Sequence, residues 1–358
     1  YFQRYFSYTE PLAVSLRIPS FKKNIMKKPL LTFLLLLSNL MISQNAEILE
    51  DLNLAKFDND FSTYNQLTSI YCSQISEVAY WDSDEINELN KLMNEKYPDD
   101  NHHWELIDHN DKKDHTQALL WGNKNFLIIA FRGTEPSLFK DWITDAKFWN
   151  YENNPDSNED LANMPAGHGG FRRSLMSLIT KEDIFKKIDE IILKCSSESL
   201  KSNFPIYLTG HSLGAAISQL FIEPLNYKGY NFSGAYHFAP PLAVSCTLND
   251  YMKEKYGDMV YDIVNYKDYV PRAGRNGVAH FGKFHRICKN GLIYSETEAY
   301  IKFRFFEYFS EIKLHSLNSH TLALKNTDNT VQKIKERSIE DYSCLEPKTV
   351  VNPCGSTK

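Results

Sequence analysis

Ile206-Tyr-Leu-Thr-Gly-His-Ser-Leu-Gly-Ala-Ala-Ile-Ser218 decides how this chain is read. It contains G-x-S-x-G at Gly210, His211, Ser212, Leu213 and Gly214, between an apolar run and a helix-forming run. That is the setting of a nucleophile elbow, a sharp strand-to-helix turn that exposes a serine hydroxyl. A serine hydroxyl is a weak nucleophile until it is exposed, oriented and placed beside a base. The flanking glycines let two backbone segments approach without Cβ clashes. The helix that follows points its first N–H groups, and the positive end of its dipole, at an oxyanion forming on the attacked carbonyl.

Outward from the elbow, apolar runs alternate with amphipathic ones. Ala118 to Trp121, Phe126 to Phe131, Ile206 to Leu208, Tyr236 to Ala239 and Val260 to Tyr266 read as strands. The second is apolar throughout, which suits a strand buried on both faces. Helical spacing marks residues 46–97, Ser174 to Cys195 as one amphipathic helix, and a helix opening at Gly214. Strands alternating with helices predict an α/β architecture, a mainly parallel central sheet with helices on both faces. Asn150 to Pro165 reads as a loop.

A serine nucleophile needs a base and a group that orients the base. In α/β-hydrolases the chain order is Ser, then Asp or Glu, then His. Asp268, in Val264-Asn-Tyr-Lys-Asp-Tyr-Val-Pro271, lies just past an apolar run. It therefore sits at a strand end, where α/β sheets carry their sites. Asp262 falls inside the strand pattern and Asp258 before it, so both suit the role less well. His280, His285, His315 and His320 follow. The first two lie in a strand-like segment and read as structural. His315 would sit on a loop just before a helix pinned by Leu317 and Leu324, and is favoured over His320. One oxyanion donor is expected at the Leu213 N–H. The second is expected at Thr134, in Phe131-Arg-Gly-Thr-Glu-Pro136 after an earlier strand; read alone, that segment is an ordinary turn.

The flanks and bulk composition restrict the compartment and the partners. The chain opens on Tyr1. Met26 begins a secretory pattern with Lys27, Lys28, a short apolar stretch to Ile42, and small or polar residues from Ser43 to Ala46. Residues 26–43 read as a signal peptide, too short for a comfortable membrane span, with an uncleaved anchor as the alternative. Residues 1–25 read as an upstream, non-native segment. Residues 44–358 then form one domain with a polar tail from about 325, large enough for a sizeable core. Residues 1–43 hold six Lys/Arg and one Glu, so removing them changes the formal charge from −5 to −10. An acidic chain without a basic stripe gives no reason to expect nucleic-acid binding. The six cysteines include no C-x-x-C, and no metal or cofactor is called for. Export permits disulfides; Cys344 and Cys354 are the favoured pair, and Cys195 reads as a buried thiol.

Several separate blocks, in order, resemble the class 3 lipase family, the α/β-hydrolases that include secreted fungal triacylglycerol lipases. They are Phe131-Arg-Gly-Thr134, Asp141-Trp-Ile-Thr-Asp-Ala146, His168-Gly-Gly-Phe171, Leu208-Thr-Gly-His-Ser-Leu-Gly214, His237-Phe-Ala-Pro-Pro241, Asp268-Tyr-Val-Pro271 and His315-Ser-Leu317. Together they cover roughly residues 60–325. The resemblance implies an α/β-hydrolase fold and a lipase-type ester hydrolase. Ser212 would be its nucleophile, Asp268 its acid, His315 its base, and Thr134 with Leu213 its oxyanion hole. It implies a lipid or ester substrate and transient binding at a lipid–water interface, with phospholipase or soluble carboxylesterase as alternative activities. It also implies a lid over Pro136 to Trp142, whose apolar residues could instead pack on the core. The family often has a tyrosine three residues after the histidine; here that position is Asn318.

Overall fold

The strands of the central sheet alternate their side chains between two separate apolar layers, and that alternation organises the molecule. In the computed structural model, the residues described are 52, 57–110, 116–133, 151–152, 166–196, 201–265, 268, 270–272, 277–288, 293–296, 315–326 and 331–333. All lie within one unit, Ile48–Lys358. The strands are β1 (His103–His109), β2 (Thr116–Gly122), β3 (Leu127–Phe131), β4 (Tyr151–Glu152), β5 (Gly167–His168), β6 (Pro205–His211) and β7 (Asn231–Phe238), followed by β8 (Val244–Ser245), β9 (Val260–Asn265), β10 (Val278–Ala279), β11 (Lys283–Ile287), β12 (Ile293–Glu296) and β13 (Val331–Lys333). The helices are α1 (Gln66–Val78), α2 (Ser83–Lys96), α3 (Gly169–Thr180), α4 (Ile184–Cys195), α5 (Leu213–Tyr227), α6 (Cys246–Tyr256) and α7 (Leu317–Lys325).

The large sheet runs β1-β2-β3-β6-β7-β9-β11-β12-β13. Its centre, β3 through β11, is parallel. β1, β2 and β3 form an antiparallel meander at one edge, and β11 pairs antiparallel with β12 towards the other. The mainly parallel sheet expected from the strand–helix alternation is present, with antiparallel flanks that alternation does not predict.

Leu120, Ile129, Phe131, Ile206 and Leu208 face α3, α4 and α5. Their neighbours Leu119, Ile128, Ala130, Tyr207 and Tyr236 face α1, α2 and α7. Helices therefore cover both faces, and each fully buried Leu, Ile or Phe contributes about 1.5–3 kcal/mol. The single helix expected over Ser174 to Cys195 is two, α3 and α4. Asp183 adopts a left-handed φ of 50° and accepts the Lys186 N–H, capping α4 and breaking the run. Apolar periodicity continues through this corner, so spacing alone does not reveal it.

Beneath the parallel centre lies a buried polar cluster. Asp262 Oδ1 on β9 accepts from His237 Nδ1 at 3.2 Å and from Gln219 Nε2 at 3.0 Å. Ser218 Oγ lies 2.9 Å from His237 Nε2, within hydrogen-bonding distance. His280 Nδ1 lies 3.4 Å from Asp262 Oδ2, and its Nε2 donates to the Pro271 carbonyl at 2.7 Å. Burial raises the Asp262 carboxyl, but the hydrogen bonds and charge of His237 and His280 outweigh it and hold the group well below the usual carboxylate range. Asp262 and His280 thus belong to the scaffold beneath the strand ends.

Cys246 and Cys288 are disulfide-bonded, whereas Cys72 and Cys195 are free and buried. The expected Cys344–Cys354 pair, the secretory segment, the Pro136 to Trp142 lid segment and most of the Asn150 to Pro165 loop lie outside the described residues. Among the described residues no helix is long and apolar enough to cross a membrane.

Candidate active site

Ser212 sits between the last residue of β6 and the first of α5, with φ 56° and ψ −123°. A left-handed φ in a non-glycine residue is costly and persists only where the surroundings hold it. Here the Ser212 N–H donates to the Phe238 carbonyl at 2.9 Å, and the Ser212 carbonyl accepts the Ala216 N–H at 3.2 Å. The turn also needs its glycines. A Cβ on Gly214 would lie 1.9 Å from the Phe131 carbonyl oxygen, so α5 approaches β3 as closely as it does only without one.

The structure brings Ser212, His315 and Asp268 into one hydrogen-bonded chain. Ser212 Oγ lies 2.9 Å from His315 Nε2, and His315 Nδ1 lies 2.9 Å from Asp268 Oδ2. A carboxylate can only accept, so Nδ1 carries the imidazole proton and Nε2 is left to accept from the hydroxyl. All three residues are buried. Asp268 follows β9 by three residues, its N–H donating to the Asn265 carbonyl at 3.0 Å. The Val270 N–H donates to its Oδ1 at 3.0 Å. Burial raises the Asp268 carboxyl, and the adjoining His315, His320 and Val270 N–H more than offset this, leaving it below its ordinary value.

His320 also comes close, with Nε2 3.7 Å from Asp268 Oδ2. It accepts the Asn265 N–H on Nε2 at 3.3 Å and is placed to donate from Nδ1 to the Ser316 carbonyl at 3.0 Å. Both nitrogens are committed, and neither meets Ser212. Burial, set against the charge of Asp268, pushes its pKa down to about 4, so it is neutral at pH 7. Asn318, where the family resemblance would place a tyrosine, is exposed.

Leu213 is the first residue of α5, so its N–H belongs to the first-turn donors that have no intrahelical acceptor. Thr134 lies outside the described residues, but Gly133 immediately before it is described. Its N–H donates to the Tyr80 hydroxyl at 3.0 Å. His211, the variable residue inside G-x-S-x-G, donates from Nε2 to the His315 carbonyl at 2.6 Å, and its Nδ1 lies 3.5 Å from the Tyr80 oxygen. Sequence reasoning singled out neither Tyr80 nor His211. Tyr80 is 53 positions from Gly133 and 131 from His211, so no local spacing signals it.

Chemically, the arrangement can pass a proton from a serine hydroxyl to an imidazole whose other nitrogen is held by a carboxylate. Among the described residues no group of three or more His, Cys, Asp or Glu is placed to hold a metal ion.

Residues 128–276 match the family model "Lipase (class 3)". Two curated relatives, the secreted mono- and diacylglycerol lipases A of Penicillium cyclopium and Penicillium camembertii, are each 27% identical over 139 residues. The match covers 39% of this chain and 38% of either relative, so the chain spans well under half the length of the proteins it matches. A solved structure from a family of fungal lipases, described for an unusual buried polar cluster, is 19% identical with a TM-score of 0.52. The superposition covers 72% of this chain and 96% of that one, and shows a shared fold.

Proposed function

Because this chain belongs to the class 3 lipase family through residues 128–276, we propose that it is a secreted serine hydrolase that cleaves acylglycerol esters. The observation that carries the reading is the unbroken hydrogen-bonded chain from Ser212 Oγ through His315 to Asp268 Oδ2.

In the proposed reaction His315 Nε2 takes the Ser212 proton as Oγ attacks the ester carbonyl. Asp268 holds the imidazole tautomer and stabilises the imidazolium. The oxyanion is bound by the Leu213 N–H and, from the loop after β3, by Thr134; each such donor is worth about 10²–10³ in kcat. The intermediate collapses, His315 returns the proton to the departing alcohol, and an acyl-serine remains. Water, deprotonated by the same imidazole, then releases the acid and restores the serine. The reaction runs on protein groups and calls for no metal or organic cofactor.

Export is part of the proposal. The signal-like segment 26–43, the disulfide-bonded state of Cys246 and Cys288 and the word "secreted" in the relatives' names support it. Residues 44–358 are then a single mature domain, acting at a lipid–water interface without a membrane span.

The test compares para-nitrophenyl esters of short and long acids, on the wild-type chain and on Ser212→Ala. Turnover should fall by on the order of 10⁴-fold or more in the variant while the fold is kept. Rates that climb once a long ester exceeds its solubility indicate a lipase. Serine-dependent activity confined to dissolved short esters, or favouring phospholipid, would move the substrate to a carboxylesterase or phospholipase. Wild-type rates in Ser212→Ala would refute the site.

A further inference from the structure

Three segments far apart in sequence must hold register for the proposed chemistry: the loop after β3, the elbow, and the turn before α7. One side chain touches the first two, and through His211 it is linked to the third. Tyr80 stands at the corner between α1 and α2. Its own N–H donates to the Glu77 carbonyl at 2.9 Å, and the Trp81 N–H donates to that of Val78 at 3.0 Å. A capping box between Asp82 and Glu85 starts α2 directly afterwards. The corner is therefore rigid. The helix leading into it also grips α7 beyond the base, since Gln66 Nε2 donates to the Leu324 carbonyl at 2.6 Å and Thr321 Oγ1 bonds Ser73 Oγ at 3.1 Å.

From that mount the Tyr80 oxygen accepts the Gly133 N–H at 3.0 Å. The same hydroxyl lies 3.5 Å from His211 Nδ1 and can donate to it. His211 can pass the contact on only if its remaining proton is on Nε2, where it meets the His315 carbonyl at 2.6 Å. Burial first, then the neighbouring His315 and His320, keep His211 neutral and so limited to one donor and one acceptor. Gly133 is squeezed between the two groups, because a Cβ there would lie 2.5 Å from both the His211 carbonyl oxygen and the Tyr80 hydroxyl. The Arg132 guanidinium lies over the Tyr80 ring at 5.2 Å, closing the loop onto the same side chain.

We infer that Tyr80 is a positioning residue: through Gly133 it sets the loop whose next residue is the candidate oxyanion donor, and through His211 it sets the backbone of the candidate base. This rests on the ester-hydrolase reading. It extends it by joining the two halves of the machinery through one phenol, so a loss at Tyr80 should appear in the transition state and not in substrate binding.

The experiment counts reactive serines with a fluorophosphonate and expresses para-nitrophenyl butyrate turnover per titrated site, so that misfolded molecules do not register. In Tyr80→Phe, kcat per site should fall about 10- to 100-fold with KM within about twofold, and affinity for a boronic acid that mimics the oxyanion should fall in parallel. The His211 pair reads the other end independently. His211→Gln keeps an N–H for the His315 carbonyl and should retain several-fold more activity than His211→Phe. Adding Tyr80→Phe to His211→Phe should cost less than Tyr80→Phe alone. Unchanged kcat per site in Tyr80→Phe, or a loss carried by KM alone, overturns the inference. A wild-type chain that neither reacts with the fluorophosphonate nor hydrolyses ester refutes the hydrolase reading instead.

Discussion

His320 Nε2 lies 3.7 Å from Asp268 Oδ2, the oxygen that receives the His315 Nδ1 proton at 2.9 Å. Two histidines thus converge on one carboxylate oxygen, but only His315 continues to Ser212. His320 spends its nitrogens on the Asn265 N–H and the Ser316 carbonyl, bracing the end of β9 against the turn that carries His315. His315→Gln should lose on the order of 10³-fold or more in ester turnover. His320→Gln should keep turnover within about tenfold and lose about 1–3 kcal/mol of stability. Rate measurements with a urea titration of each variant check this, and the reverse ranking would make His320 the base.

Acid should weaken the fold before it protonates most carboxylates. Burial pushes the pKa values of His102, His285 and His320 down to about 4 from an ordinary 6.5. Between those values the unfolded chain binds protons that the folded chain refuses, so the stability these histidines contribute falls as pH falls from about 6.5, and their effect levels off below about 4. Each group contributes up to roughly 3 kcal/mol to that loss. Asp262 and Asp268 have the opposite charge logic: their depressed values stabilise the fold above the ordinary carboxyl range, and that contribution is lost as pH drops below it. Urea midpoints at pH 7, 5.5 and 4 should decrease steadily, and His102→Phe should flatten the slope. A midpoint that rises on acidification contradicts the assignment.

The cluster around Asp262 should matter to stability and not to serine chemistry. Asp262→Leu strips His237 and Gln219 of their acceptor in a fully buried place. A cost of about 3–5 kcal/mol follows from leaving such partners unpaired. Thermal unfolding measures the cost, and fluorophosphonate labelling of the fraction still folded should continue.

The thiols should divide by exposure and oxidation state. Cys72 and Cys195 are buried, and burial raises both thiols, Cys195 to about 12, so neither should alkylate in the native protein at pH 8. Reduction of the bonds at Cys246 and Cys288 should lower stability by about 2–5 kcal/mol. Mass spectrometry after native iodoacetamide treatment, with and without reductant, reads both. Rapid native labelling of Cys72 would refute the burial argument.

Features written locally were legible in the sequence. The elbow is one continuous stretch, and Asp268 follows an apolar run, so both could be placed at strand ends. The choice between His315 and His320 was harder. They are five residues apart, and deciding between them requires knowing that the first precedes α7 and the second lies inside it. The antiparallel edge β1-β2-β3 was not legible, because burial on both faces gives the same apolar run in either strand direction. Tyr80 and His211 escaped notice for another reason. Their importance comes from meeting Gly133 and the His315 carbonyl, and such long-range contacts leave no periodic trace.

The placement of His315 after every strand of the parallel centre has a consequence for a chain made from its N-terminus. The elbow at Ser212 is synthesised about a hundred residues before its candidate proton acceptor. If His315 is the base, then until residue 315 emerges and α7 docks on α1 the serine has no imidazole to take its proton, and the nascent chain is chemically mute. Under the proposed function, the order of the residues along the polypeptide thus acts as a timer. It withholds ester cleavage from a half-made molecule near the producing cell's own lipids.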